Sequence, residues 1–173
     1  QVHKGLSRYY DINVLHDLAE AESGWDMTNR FERKCLNFLP VDLNAYLYKY
    51  EMDFARAAQI LGMSDEQAIW EEKAKTRQKA MNELMWSKLR GLYFDYNYQK
   101  QKKGTVASLA SYVPLWAGMV TAEQAALLAK NLRRFDAKGG LVTTDVQPLK
   151  TALPQKTPIQ WAYPNGWAPL HFL

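Results

Sequence analysis

The sequence has little of the chemistry that marks disulfide-bonded, metal-binding or nucleophile-based proteins. It contains one cysteine, Cys35, so no disulfide can form within the chain. The cysteine stands in the apolar run 35–39, where a small buried residue is expected rather than a nucleophile. The three histidines, His3, His16 and His171, show no ligand spacing with one another or with carboxylates. We therefore expect no metal and no cofactor, and no nucleophile elbow of a serine hydrolase is visible.

Long apolar runs and basic stripes are also missing. No stretch approaches the length of a transmembrane span, and the first residues show no signal peptide. The chain opens on Gln1 without a methionine, so its localisation stays open. The net charge is +4, but the densest basic patch, 100–103, has no interleaved aromatic residues and predicts a solvated turn. Neither a membrane nor a nucleic acid is an expected partner.

The pattern that is present is helical. Residues 42–61 repeat apolar side chains at three- and four-residue spacing, with Asp42 as a possible cap and Gly62 as a stop. Capping-box patterns open further helices over 64–87 and 121–135. The apolar face predicted for the first helix comprises Leu43, Tyr46, Leu47, Tyr50, Phe54, Ala57, Ala58 and Leu61.

Strand signals are few, so the fold class is all-α. Residues 91–97 suit a short strand or extended loop, and 141–164 have no periodicity and predict a long loop. No linker interrupts the chain, and residues 1–173 form one domain segment.

The most informative stretch is 21–31, which holds Asp26 directly after Trp25 and close to Gly24. A carboxyl group beside an indole is expected in a dry pocket, where burial raises the pKa of the acid towards neutrality. The structural alternative is that Asp26 caps a helix or pairs with Arg30, four residues on. The 13% of aromatic residues allows either sugar-binding walls or helix-packing core.

A second aromatic stretch, which we call the aromatic segment, covers 160–169. It contains Gln160, Trp161, Asn165 and Trp167 between prolines and a glycine, which favour a loop. Indoles bind sugars because the C–H face of a pyranose stacks on the ring while the hydroxyl groups remain free for hydrogen bonds. A carboxylic acid with indole walls points to glycoside chemistry.

Three segments in this order resemble the α,α-trehalase family: 21–26 followed by Arg30, then 40–47, then 160–169. Weaker agreement runs through 91–96 and 139–141, so the resemblance covers essentially the whole chain. The piece Ser-Gly-Trp-Asp alone would not separate trehalases from related α-glucosidases.

The resemblance implies part of an (α/α)6 toroid and an inverting hydrolysis of trehalose to two glucose molecules. It implies Asp26 as the general acid, and it makes Trp25, Trp161 and Trp167 candidate walls of the substrate pit. Gly24 would let the backbone approach the sugar, because glycine has no Cβ. Gln160 and Asn165 are further candidates for sugar contacts, Gln160 as a hydrogen-bonding partner of a hydroxyl group.

Two departures limit the resemblance. Ala162 stands where the family usually has an acidic residue, which leaves the exact sugar open. In the family, the general base is a glutamate that follows the stretch corresponding to the aromatic segment, and this chain ends at Leu173. We therefore expect a fragment of a larger catalytic domain, inactive in isolation, whose partner is the remainder of that domain.

Two other functions fit the same residues. The first is a related α-glucosidase or a mannosylglycerate-type hydrolase of the same toroid class. The second is a non-catalytic helical scaffold or carbohydrate-binding segment, which the missing base supports.

Overall fold

The computed structural model describes residues 2–146 and 159–164. The described part is mainly helical, as expected for an all-α chain. Its α-helices are α1 (His16–Ala21), α2 (Val41–Ile60), α3 (Ser64–Leu84), α4 (Val113–Trp116) and α5 (Ala122–Asn131). Short 3-10 helices cover Cys35–Asn37, Leu109–Tyr112 and Leu132–Phe135. None of the described helices is long and apolar enough to cross a membrane.

Strands in the described residues are two residues long, and they pair with one another in the connections between helices. They are β1 (Phe38–Leu39), β2 (Trp86–Ser87), β3 (Leu92–Tyr93), β4 (Tyr96–Asn97), β5 (Lys102–Lys103), β6 (Asp136–Ala137) and β7 (Gly140–Leu141). All pairings are antiparallel: β4 lies between β1 and β5, β2 pairs with β3, and β6 pairs with β7. The β1–β4 pair places Leu39 opposite Tyr96, which brings the chain after α1 beside the chain after α3.

The antiparallel hairpin of α2 and α3 confirms the two longest predicted helices, although α3 ends at Leu84 rather than near Ser87. Gly62 makes the turn with a φ of +71°, a left-handed conformation that glycine adopts without strain. The capping box predicted at Ser64 is wrong, because Met63 is the N-cap and no side chain caps this helix. The box at Thr121 and Gln124 is confirmed, with both reciprocal hydrogen bonds formed.

The buried face of α2 differs from the predicted one. Tyr50, Phe54, Ala57 and Leu61 are exposed, whereas the buried residues are Val41, Asp42, Asn44, Ala45, Tyr48, Glu51, Ala55 and Ala58. Apolar periodicity identifies the side of a helix that suits burial, but it cannot tell which neighbours cover it. In this chain the contacts of α2 with α3 select a more polar face.

The main core lies between α2, α3 and the segment around α4. It contains Leu39, Tyr48, Met81, Met85, Tyr93 and Met119 among its buried members. A smaller cluster surrounds Phe31, Cys35 and Phe38 near α1. Cys35 is fully buried there, and burial raises the pKa of its thiol to about 12. It is therefore a packing residue, as predicted.

A buried ion pair fixes the hairpin and the N-terminal segment together. The Arg77 guanidinium on α3 donates to both carboxylate oxygens of Glu51 on α2, at 2.7 and 2.9 Å. Its Nη1 also donates to Asn44 Oδ1 and to the Gly5 carbonyl. Asn44 in turn accepts the Ser7 amide and donates to the Ser7 carbonyl. Because every charge here has hydrogen-bonding partners, the pair is tolerated inside the core.

Removing the arginine from this network should strongly destabilise the chain. We expect Arg77→Leu to lower the free energy of unfolding by about 3–5 kcal/mol, because it leaves the buried Glu51 carboxylate unpaired. Urea unfolding followed by circular dichroism measures the change. Lys88→Leu is the control, since both partners of the Lys88–Glu123 pair are largely exposed. Equal unfolding midpoints for the two variants would show that the Arg77 network is not structural.

Candidate functional site

The site is built on Arg30, which is fully buried between two carboxylates. Its guanidinium makes a bidentate contact with Asp42 at 2.9 and 3.0 Å and a second one with Asp95 at 2.8 and 3.0 Å. The three side chains are between 0% and 4% exposed. Burial alone would lower the pKa of Arg30, but the two carboxylates outweigh it and keep that pKa well above its usual value.

Both carboxylates that bind Arg30 also accept backbone amides at the start of helix α2. The Val41 amide donates to Asp95 Oδ1 at 2.9 Å, and the Leu43 amide donates to Asp42 Oδ1 at 3.0 Å. Helix N-termini favour negative charge because their first amides have no partner within the helix. The expectation that Asp42 caps this helix is wrong: Pro40 is the N-cap, and Asp95, distant in sequence, accepts the first amide.

The indole of Trp25 packs on the buried arginine. The Arg30 guanidinium carbon lies 4.3 Å from the centroid of the Trp25 ring, and Trp25 is 2% exposed. A guanidinium over an indole is an attractive cation–π contact. Arg30 therefore joins α2 and the loop that carries Asp26.

That loop, residues 22–28, is called the acid loop below. It leaves α1 in a tight turn in which the Gly24 amide donates to the Ala21 carbonyl. Gly24 has a φ of +69°, a conformation that suits a residue without Cβ, and the space beside it is open. Met27 also adopts a positive φ, +54°, which is uncommon for a residue with a side chain.

Asp26 occupies the outer part of the acid loop and is exposed. The expectation of a dry pocket around its carboxyl group is therefore wrong for this chain. The alternative of an ion pair with Arg30 is also wrong, because the guanidinium turns inward to Asp42 and Asp95. Spacing of four residues favours such a pair only within a continuous helix, and α1 ends at Ala21.

The acid loop and the aromatic segment are directly hydrogen bonded. The Gln160 amide donates to the Met27 carbonyl at 3.0 Å, and the Thr28 hydroxyl donates to the Trp161 carbonyl at 3.3 Å. Trp25 and Trp161 also share a buried cluster with Ala110. Two stretches more than 130 residues apart in sequence thus meet beside Asp26.

The remaining predicted site residues differ in their placement. Gln160 is exposed next to the acid loop, whereas Trp161 and Ala162 are buried. Trp25 and Trp161 are 2% and 9% exposed in this chain. The Trp25 indole N–H has no acceptor among residues 2–146 and 159–164. Asn165 and Trp167 lie outside the described residues.

A second carboxyl group lies beneath the acid loop. Glu20, on α1, is 6% exposed, and its Oε1 accepts the Thr28 amide at 2.7 Å. Burial raises the pKa of Glu20 to about 7, and the charges of Asp17 and Asp26 act in the same direction. The Thr28 hydrogen bond and Arg30 oppose that shift.

Sequence reasoning missed Glu20, Thr28 and Asp95. Asp95 had a visible signal, because it is a lone carboxylate in the apolar run 92–96, and such a group is buried only with a partner. Glu20 and Thr28 had none, since a hydrogen bond between a helix and the following loop follows from no local pattern.

Similarity to solved structures assigns the fold class. The chain superposes on a neutral trehalase from Saccharomyces cerevisiae with a TM-score of 0.77 and 36% identity, covering 90% of this chain and 30% of that one. A mannosylglycerate hydrolase from Thermus thermophilus gives a TM-score of 0.58 at 24% identity, covering 69% of this chain and 31% of that one. The chain is part of an (α/α)6 toroid, as expected.

The sequence comparisons then give the family. The family model described as Trehalase matches residues 6–173, and the chain belongs to this family. It is 35% identical over 182 residues to a cytosolic neutral trehalase of Emericella nidulans and 34% identical over 173 residues to one of Kluyveromyces lactis. These matches cover 94% of this chain but only 24% and 23% of the relatives. The chain thus spans about a quarter of the length of the curated relatives it matches.

Replacing Arg30 tests the foundation of the site. We expect Arg30→Leu to lower the free energy of unfolding by about 3–5 kcal/mol, because two buried carboxylates lose their partner. Arg30→Lys should recover only part of this loss, since an ammonium group cannot make two bidentate contacts. Urea unfolding measures both variants, with exposed Lys34→Leu as control. Wild-type stability in Arg30→Leu would contradict the assignment.

Proposed function

We propose that the protein hydrolyses α,α-trehalose to two glucose molecules, with inversion at the anomeric carbon and Asp26 as general acid. The observation that carries the proposal is the contact of the acid loop with the aromatic segment, through the Gln160–Met27 and Thr28–Trp161 hydrogen bonds. Membership of the trehalase family supports a sugar substrate. The relatives named neutral trehalases support trehalose in particular.

In this mechanism the Asp26 carboxyl group protonates the glycosidic oxygen as the bond to the anomeric carbon breaks. A second carboxylate, on the opposite face of the sugar, takes a proton from the attacking water. In inverting enzymes the two groups stand about 6.5–9.5 Å apart to leave room for that water. Glu20 does not suit this second role, because it is buried and engaged by the Thr28 amide.

The second carboxylate is proposed to lie in a longer protein of which these residues form a part. The length of the relatives supports this, since the chain matches about a quarter of them. The same consideration bears on the exposure of Asp26. An acid that must reach a substrate oxygen is accessible from one side, and further helices of the toroid would exclude bulk water around it.

The sugar contacts proposed for this site come from the acid loop and the aromatic segment. Gly24 leaves open space beside the backbone of the acid loop, and Gln160 presents an exposed amide next to it. The buried indole N–H of Trp25, which has no acceptor within the described residues, is a further candidate donor. Trp161, Asn165 and Trp167 complete the proposed set, with the two indoles as stacking surfaces.

Ala162 bears on the choice of sugar. The residue is 2% exposed, so the carboxylate usual at this position in the family would be buried here. The proposal therefore includes a comparison of trehalose with other α-glucosides and with mannosylglycerate. Faster turnover of one of the others would transfer the assignment to that substrate and leave the role of Asp26 in place.

Replacing Asp26 by asparagine tests the proposal. In the protein at its full encoded length, we expect Asp26→Asn to lower kcat for trehalose by about 100- to 10,000-fold, because the amide cannot donate the proton. Trehalose affinity, measured by calorimetry, should change little. Glucose release measures turnover.

Asp17→Asn is the matched control, since it removes an exposed carboxylate from α1 close to the acid loop. Its turnover should equal that of the wild type. Full turnover in Asp26→Asn would overturn the assignment of the acid. Trehalose binding without any turnover in the wild type would instead identify a carbohydrate-binding protein.

A further inference from the structure

We propose that Glu20 is a positioning residue that holds the acid loop, and hence Asp26, in place by accepting the Thr28 amide. The identity of Asp26 as the acid rests on the proposed function. The anchoring contact itself does not, since it is a hydrogen bond of 2.7 Å between two buried groups.

The acid loop is held on both sides of Asp26. On the N-terminal side, Trp25 packs against the Arg30 guanidinium. On the C-terminal side, Thr28 is held twice, by Glu20 through its amide and by the Trp161 carbonyl through its hydroxyl. Between these anchors Met27 adopts a positive φ, which the surroundings must enforce. Loss of the Glu20 contact would leave the Thr28 amide buried without a partner and release that constraint.

Burial makes Glu20 unusual for a residue that only fills space. Its helix neighbour Ala19 belongs to the apolar cluster with Phe31 and Cys35, and the charge of Glu20 acts on the buried Cys35 thiol. A carboxyl group there costs free energy unless it serves a partner. The partner is the Thr28 amide. If Glu20 only filled space, Glu20→Leu would leave the acid loop in place. If Glu20 anchors the loop, Glu20→Leu should release it.

Burial, the largest cause of the raised pKa of Glu20, makes the anchor dependent on pH, and the Thr28 hydrogen bond opposes that shift. Asp17 on α1 and Asp26 on the loop favour its neutral form, and Arg30 favours its charged form. Cys35, which also interacts electrostatically with Glu20, stays a neutral thiol because burial raises its pKa. Since the pKa of Glu20 is about 7 with the loop in place and near 4.5 when solvated, the anchored loop is most stable below pH 4.5. Its stability falls as pH rises to about 7 and is level above that.

The experiment compares Glu20→Gln, which keeps the acceptor oxygen, with Glu20→Leu, which keeps only the volume. Hydrogen exchange of residues 25–28, corrected for the intrinsic effect of pH, reports on the anchor. We expect Glu20→Leu to lose protection by about tenfold or more, the effect of one lost hydrogen bond to a charged or buried group. Wild-type protection should fall between about pH 4.5 and pH 7 and stay level above that, whereas Glu20→Gln should be independent of pH.

Turnover of trehalose by the protein at its full encoded length gives the second readout. We expect Glu20→Leu to lower kcat by about 100-fold with little change in KM, because a displaced acid reacts poorly. Glu20→Gln should restore kcat, whereas Asp17→Asn should keep kcat and move the pH dependence to lower pH, because the Asp17 charge favours the neutral form of Glu20. Unchanged exchange and turnover in Glu20→Leu would overturn the proposal. Altered exchange in Glu20→Leu, together with full turnover in Asp26→Asn, would overturn only the proposed function.

Discussion

The structure depends on one buried cation. Arg30 is enclosed by Asp42 at the start of α2, by Asp95 next to β4 and by the indole of Trp25. A charge in this position requires all of its partners, because leaving any carboxylate unpaired in the core costs several kcal/mol, about 3–5 for a broken buried pair. The arginine therefore fixes three segments that are distant in sequence relative to one another. It also supplies helix α2 with an N-terminal acceptor through Asp95.

The candidate site is arranged around this constraint. Trp25 is held against the arginine, so the acid loop starts from a rigid point and turns outward at Gly24. Thr28 closes the loop against Glu20 and the aromatic segment. Asp26 is left at the exposed outer part, where a carboxyl group can meet a ligand. A side chain on a loop that buried contacts hold in place is exposed to solvent and still has a defined position.

Local patterns in the sequence were sufficient for helices α2, α3 and α5, but they did not predict α1. The periodicity of 42–61 predicted α2 within one residue at each end, and the Thr121 capping box marked the start of α5. Patterns could not predict partners. Arg30 was considered for Asp26 because of their spacing, yet it binds carboxylates 12 and 65 residues away.

The same limit explains the incorrect apolar face of α2. Tyr50 and Phe54 have the spacing of core residues, but the described neighbours cover Glu51 and Ala55 instead. The dry pocket expected for Asp26 failed for a related reason, since exposure depends on which elements pack on a loop. The chain corresponds to about a quarter of the length of its curated relatives.

Nitrogen NMR of the arginine side chains tests the central claim most directly. If Arg30 is enclosed by Asp42 and Asp95, its Nε–H should give one resolved signal that exchanges slowly with water, and Asp95→Asn should shift it. Arg56, which is exposed on α2, provides the fast-exchanging comparison. An Arg30 signal that exchanges as fast as that of Arg56 and ignores Asp95→Asn would contradict the account.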